Sequence, residues 1–514
     1  MSDPEDNIGE TSIRPRILYA SIFVYVSLTG GRFLSVLLQD AGLSDSQIGL
    51  CFASSTVVQS LCSSFSGSFA DDYERRHPGL GRSRVLLCGI LMSGALFLLQ
   101  GLHHVTTIPV VSTVTWHVVL RVLYAASTSF VWPVLDGITL DYLNEHSDKA
   151  DFGKERLHGA IWWAITNLIM GPSLDRLGFS ILYLYSIVSL VAVAATIHIF
   201  TNAQLASRQG QRRRQDTGNQ LGHDTKENID VDTSAKDSVE NQGNRELPLP
   251  KGLKRQKSHV VPTDEEDNEV KEEEEAPDKP RLSLVSIGSM ICGTTTGAAF
   301  MFAVFCLAIG MAVVEQLIFL YFEVLGSSYT LCSLTVLLTV LCEIGLFAYG
   351  PELLNRWGPI KLLLLAGVCY VLRVIGYSLV PQGQPWFVLL FEPLHGITYA
   401  CASISSVDFV AQLMPSGYES SGQGLLHTLR GFGSVLGVLF GGIGDDWLGP
   451  RTVYRCLAAV VTVGLSVLAV TSSLNDTRGG RYAMGAVTEE DETVNTIQSC
   501  ASLELVVIEE KDIG

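Results

Sequence analysis

Glu392, His395 and Tyr399 stand in one apolar stretch at spacing i, i+3, i+7, so a helix carries all three on one face. Ser403 and Ser406 continue the stripe. A carboxylate beside an imidazole, away from water, can take up and release a proton near neutral pH. Two readings stay open: a proton-coupling pair that also contacts a solute, or a hydrogen-bonded packing pair that holds the chain near Pro393. Glu315 and Glu343 also lie in apolar stretches. Each can serve as a proton site or as a static counter-charge to Arg32 or Arg373. Arg32, Arg121, Asp136 and Gln316, with Tyr399, are candidate solute ligands. Arg121 could instead reach to the surface, and Asp136 could lock a helix end. Enzyme chemistry finds no support, because the chain has no P-loop, HExxH or GxSxG motif. The 11 cysteines are scattered, without zinc spacing. No metal and no cofactor is expected.

Groups of this kind need rigid elements to hold them, and the hydropathy pattern supplies those elements. Two apolar blocks, residues 16–200 and 285–473, each divide into six runs of membrane length, about 20 residues. In the first block the runs are 16–38, 47–69, 85–104, 115–141, 157–174 and 178–199. In the second they are 297–322, 329–350, 360–380, 386–413, 420–444 and 453–473. The fifth and eleventh, rich in glycine and polar residues, must pack on other helices rather than lipid. The expected fold class is an all-α polytopic membrane protein with twelve transmembrane helices in two pseudo-symmetric six-helix bundles.

Only 17% of residues are charged, below the roughly 25% of soluble domains. The net charge of −17 resides largely in a linker, 201–284, and in a C-terminal tail, 474–514. Such composition cannot bury a core, so both are expected to be disordered. The basic clusters are short and border the apolar runs, which excludes a nucleic-acid footprint. Lys and Arg crowd the joints after the second, fourth and sixth runs, for example Arg75, Arg76, Arg82 and Arg84. The positive-inside rule then puts the tail 1–15, the linker and the C-terminal tail in the cytoplasm.

Internal repeats tie the two blocks together. Gly171-Pro172-Ser173-Leu174-Asp175-Arg176-Leu177-Gly178 ends the fifth run. Gly442-Ile443-Gly444-Asp445-Asp446-Trp447-Leu448-Gly449 ends the eleventh. Both read G-x-x-x-D-x-L-G. Leu135-Asp136-Gly137-Ile138-Thr139 in the fourth run is answered by Leu394-His395-Gly396-Ile397-Thr398 in the tenth.

With these motifs the chain resembles the major facilitator superfamily. Gly67, Asp71, Arg75 and Arg82 resemble that superfamily's loop motif between the second and third spans, with an insertion from Tyr73 to Leu80. The stretches Gly153-Lys154-Glu155-Arg156-Leu157-His158-Gly159-Ala160 and Gly422-Gln423-Gly424-Leu425 are similar to a branch with lactose-permease-like and nucleoside–proton-symporter-like members. Eukaryotic major-facilitator-domain-containing proteins are the nearest in character. The resemblance implies a major facilitator fold whose first, fourth, seventh and tenth spans line a central cavity. Arg32, Arg121, Asp136, Glu315, Glu392 and His395 fall on those spans, with Arg373 of the ninth the exception.

The resulting expectation is a proton-coupled secondary transporter, monomeric, for a small polar solute such as a nucleoside or a sugar. It works by alternating access in a plasma membrane or endomembrane. Glu392, His395, Glu315 and Glu343 are expected to couple protons. Gly67, Asp71, Arg75, Arg82, Gly171, Asp175, Gly442 and Asp446 are expected to gate. Rival readings are a receptor or scaffold that has lost transport, and a facilitator without ion coupling.

Overall fold

The structure, a computed structural model, describes residues 13–102, 112–146, 152–227, 284–414 and 419–477. Every regular element among them is helical. The chain divides into one compact unit, Met1–Leu205 with Leu284–Gly514, and a second, Ala206–Ser283. Of the second unit only residues 206–227 are described. The remainder of the expected linker, residues 1–12 and residues 478–514 lie outside the described residues.

Helices α1 (Arg16–Gly30) and α2 (Leu34–Asp40) form the first span, broken in the middle. They are followed by α3 (Asp45–Arg76), α4 (Gly81–Gly101), then α5 (Thr113–Thr128) with α6 (Val131–His146) as the broken fourth span. Next come α7 (Phe152–Leu177) and α8 (Ser180–Glu227). After the short α9 (Leu284–Cys292), the second bundle comprises α10 (Thr295–Val324), α11 (Tyr329–Ala348) and α12 (Gly350–Leu379). It continues with α13 (Glu392–Leu413), α14 (Glu419–Leu448) and α15 (Pro450–Thr477). The sixth helix runs past residue 200 into the stretch expected as linker. Its Gln, Arg and Ala residues are good helix formers, and propagating an existing helix is far easier than nucleating a new one.

Among the described residues, eleven spans are long and apolar enough to cross a membrane. The twelfth helix, α7, carries Lys154, Glu155, Arg156, Asp175 and Arg176 at its ends. It packs on both α1 and α11, and such spans tolerate glycine and polar residues. With twelve helices crossing in alternate directions, the chain enters and leaves at one end, called here the termini end.

Two seams join the bundles: α3 packs on α14, and α7 packs on α11. These are matching pairs, the second and eleventh spans and the fifth and eighth. Glycine makes both possible. A Cβ at Gly442 would lie 2.3 Å from the Asp45 carbonyl oxygen, and one at Gly171 would lie 2.4 Å from that of Tyr329.

Candidate functional site

The break in the first span follows from Gly30-Gly31. Gly31 is extended (φ −74°, ψ −172°), and a Cβ there would meet the Ser27 carbonyl at 2.2 Å. The break releases the last carbonyls of α1 from helical pairing. Arg121 takes one of them: its Nη1 donates to the Thr29 oxygen at 3.0 Å. Its guanidinium lies 4.1 Å from the Tyr124 ring centroid, and Arg121 is 6% exposed. Arg121 therefore braces the break within the first bundle and does not reach the surface.

The break also directs Arg32 across the molecule. Its Nη2 donates to Nε2 of His395 at 2.8 Å. Guanidinium has only donors, so Nε2 must accept and the ring proton sits on Nδ1. Phe33, the next residue, packs on Phe319 of α10, with ring centroids 5.0 Å apart.

Glu392 and His395 share a face of α13 but do not bond to each other. Glu392 accepts from the Tyr377 hydroxyl at 2.6 Å and from the Thr339 hydroxyl at 3.1 Å. This corrects the expectation of one carboxylate–imidazole unit: α11 and α12 claim the carboxylate, and the broken first span claims the ring. Both residues are fully buried.

Beside them lies Arg373 of α12, at 0% exposure. None of its guanidinium nitrogens has a hydrogen-bond partner among the described residues. It stands 5.6 Å and 5.7 Å from the ring centroids of Tyr370 and Tyr377. Its charge acts on Glu315, Glu392 and His395. Its place on a ninth span made it an exception to the lining pattern. The structure turns it inward, onto the same site.

A second layer is partly open. Arg32, Glu315, Gln316, Glu343 and Arg430 are half-buried. Tyr399 lies among the charges of Glu315, Glu343 and Arg430 yet is 38% exposed, so it lines an open space. Arg430 of α14 donates to the Ala402 carbonyl at 3.1 Å and to the Ser406 hydroxyl. Three carboxylates (Glu315, Glu343, Glu392) thus stand among three guanidiniums (Arg32, Arg373, Arg430), and no ion pair within 4.0 Å joins any two of them. Among the described residues, no group of His, Cys, Asp or Glu could hold a metal ion.

Asp136 stays apart from this site. It accepts from the Tyr19 hydroxyl at 2.6 Å, tying the fourth span to the first. Asp136 and His395 occupy equivalent positions of the repeated pentapeptide, and each holds the first span.

The expected gating residues separate into two groups. Toward the termini end, Arg82 pairs with Asp71 at 2.7 Å and with Asp141, holding α3, α4 and α6 together. Arg75 pairs with Asp72 instead, and a Cβ at Gly67 would meet nothing within 4 Å. At the opposite end, Asp175 accepts from the backbone N–H groups of Tyr329 and Thr330, each at 2.8 Å, capping α11. Asp446 accepts from those of Asp45 at 3.2 Å and Ser46 at 3.0 Å, capping α3. The repeated aspartate therefore does the same work at both seams.

A profile described as the MFS_1 like family matches residues 16–456. A maltose permease of Geobacillus stearothermophilus is 22% identical over 448 residues, covering 87% of this chain and 91% of the permease. A crystal structure of a variant of the nucleoside transporter NupG matches with a TM-score of 0.60 at 14% identity, covering 89% of this chain and 98% of that one. A variant of the peptide transporter POT matches with a TM-score of 0.52 at 13% identity, covering 90% and 93%. These similar proteins are transporters and not enzymes.

Proposed function

We propose, for a chain that belongs to the MFS_1 like family of the major facilitator superfamily, that it couples proton movement to the passage of a small polar solute. That it is an integral multi-pass membrane protein of the secondary-transporter type is the premise; coupling and substrate are the proposal. The observation that carries it is the set of three carboxylates and three guanidiniums without a direct ion pair among them. Charge within a bilayer is costly, and paired charge is the usual remedy. Groups held close but unpaired are suited to trade partners with a proton or a solute.

In this reading Glu392 is the proton site. It is sealed from the open space and held by two hydroxyl donors, with Arg373 as a fixed positive neighbour. A proton on Glu392 removes one negative charge from that balance. Arg373 is then free to favour Glu315, and the change reaches the open layer. There Arg32, Gln316, Glu343 and Tyr399 offer donors, acceptors and a ring to a hydroxyl-rich solute. A sugar or a nucleoside fits this mixture, and the names of the maltose permease and the nucleoside transporter favour the same classes. Arg32 to His395 is one of the bonds across the bundles that must yield as they rock about the two seams.

The test is uptake into proteoliposomes of labelled nucleosides, sugars and small acids, with and without an inward proton gradient. Gradient-dependent accumulation of one class supports the reading. Well-folded protein that moves none of them counts against it.

A further inference from the structure

The two G-x-x-x-D-x-L-G motifs differ at one buried position. The residue before the capping aspartate is Leu174 in the first motif and Asp445 in the second. Leu174 is 2% exposed, an ordinary packing residue. Asp445 is 8% exposed, and its Oδ1 has no hydrogen-bond partner among the described residues. The cap on α3 is made by Asp446, so it does not require Asp445.

The neighbours of Asp445 make this more pointed. The charges that act on it are the carboxylates of Asp45, on α3, and Asp446. From α10, Glu323 adds its negative charge at Asp45. From α15, the Tyr454 hydroxyl, itself buried with no hydrogen-bond partner among the described residues, lies in the field of Asp445. The basic residues of α15 at this end are turned elsewhere: Arg451 donates to the Val380 carbonyl at 2.8 Å, and Arg455 to the Ser378 hydroxyl at 3.4 Å. Closing the seam between α3 and α14 therefore gathers three carboxylates and buries one of them, Asp445, with no ion pair among the described residues.

We propose that Asp445 is a second proton-binding site, built into the seam between the second and eleventh spans. The seam closes with a proton on Asp445 and gives that proton up when it opens. An unpaired carboxylate is far more costly to bury than the neutral acid, and two like charges nearby add to the cost. The closed seam thus holds one more proton than the open seam, so acid favours closure and alkali favours opening. The inference rests on the reading that the bundles rock about this seam. It differs from the Glu392 proposal in place and in task, since Asp445 would set which end is shut.

The experiment uses the full chain in lipid nanodiscs, without solute. A fluorescent donor and acceptor are attached through non-native amino acids at the exposed positions 50 and 447, and their separation is followed from acid to alkaline buffer. The unmodified seam is expected to lengthen as pH rises. Asp445→Asn, which cannot lose a proton, is expected to stay short throughout. Asp445→Leu, the first motif's own solution, should behave the same way and guards against a folding defect in the amide variant. A separation that ignores pH in the parent protein would overturn the proposal. So would opening on acidification, or the same pH shift persisting in both variants. The readout needs no transport, so a failure here is distinct from a failure to move any solute.

Discussion

Arg32 donates to Nε2 of His395 at 2.8 Å and thereby bolts the broken first span onto the tenth. The two residues lie in different bundles, so their bond senses any movement of one bundle against the other. If it is a working contact, the effects of removing each partner overlap. Arg32→Ala and His395→Ala should each slow uptake, and the double variant should be no slower than the slower single one. A coupling of about 0.5–3 kcal/mol is expected for residues in contact. Steady-state uptake rates in a double-mutant cycle measure it, and strict additivity would dissociate the pair.

Glu392 depends on the Tyr377 hydroxyl at 2.6 Å. Tyr377→Phe leaves a buried carboxylate oxygen short of a donor, at a cost of about 1–3 kcal/mol. The melting temperature in detergent should fall accordingly. Combining it with Glu392→Gln should recover part of the loss, because a neutral amide is less costly to bury than a carboxylate. A fall of equal size in both backgrounds would remove Glu392 from the explanation.

Arg373 is buried with no hydrogen bond to its guanidinium among the described residues, and its charge acts on Glu315, Glu392 and His395. Arg373→Met alone should lower the melting temperature, because removing one member of a buried charge set leaves its carboxylates uncompensated, and adding Glu392→Gln should restore part of the loss. Uptake should fall tenfold or more, equivalent to about 1.4 kcal/mol. A variant that keeps its melting temperature and transports normally would reverse the assignment.

The two aspartate caps should act separately, since they serve different seams. Asp175→Ala and Asp446→Ala should each loosen the end opposite the termini by about 1 kcal/mol. Their effects should add within roughly 0.5 kcal/mol. Gly442→Val should do more than either, because its Cβ would lie 2.3 Å from a backbone oxygen. Labelling of cysteines introduced at that end reports the change as faster modification. Unchanged labelling in all three variants would show that neither cap closes the seam.

Much of this arrangement was legible in the residues themselves. Apolar runs of membrane length marked the helices closely, because a bilayer leaves the backbone no other way to satisfy its polar groups. Charged residues in those runs drew attention because charge is costly within a bilayer, and the fold brings Arg32, Glu315, Glu343, Glu392 and His395 into one region. Arg373 drew attention as an anomaly, and its inward turn explains why the ninth span tolerates it. Partners were not legible. Nothing in sequence joins Tyr377 or Thr339 to Glu392, or Arg32 to His395, because those contacts arise from packing between distant spans. The helical spacing of Glu392 and His395 suggested one unit, but a shared face does not make two side chains bond. Arg121 read as a solute ligand, yet it braces the break after Gly30. That break was hidden because Gly30-Gly31 reads as readily as helix packing. The role of Asp175 and Asp446 as reciprocal caps needed the bundles side by side, although their repetition was visible from the start.

Proton coupling through Glu392 is tested most directly in proteoliposomes that carry an inward proton gradient. With the transported solute in hand, the parent protein and Glu392→Gln are compared for accumulation and for solute exchange without a gradient. The parent should accumulate solute against its concentration and should exchange it. The variant should exchange solute but accumulate none. Accumulation by Glu392→Gln at the parent's level would contradict the assignment of Glu392 as the proton site.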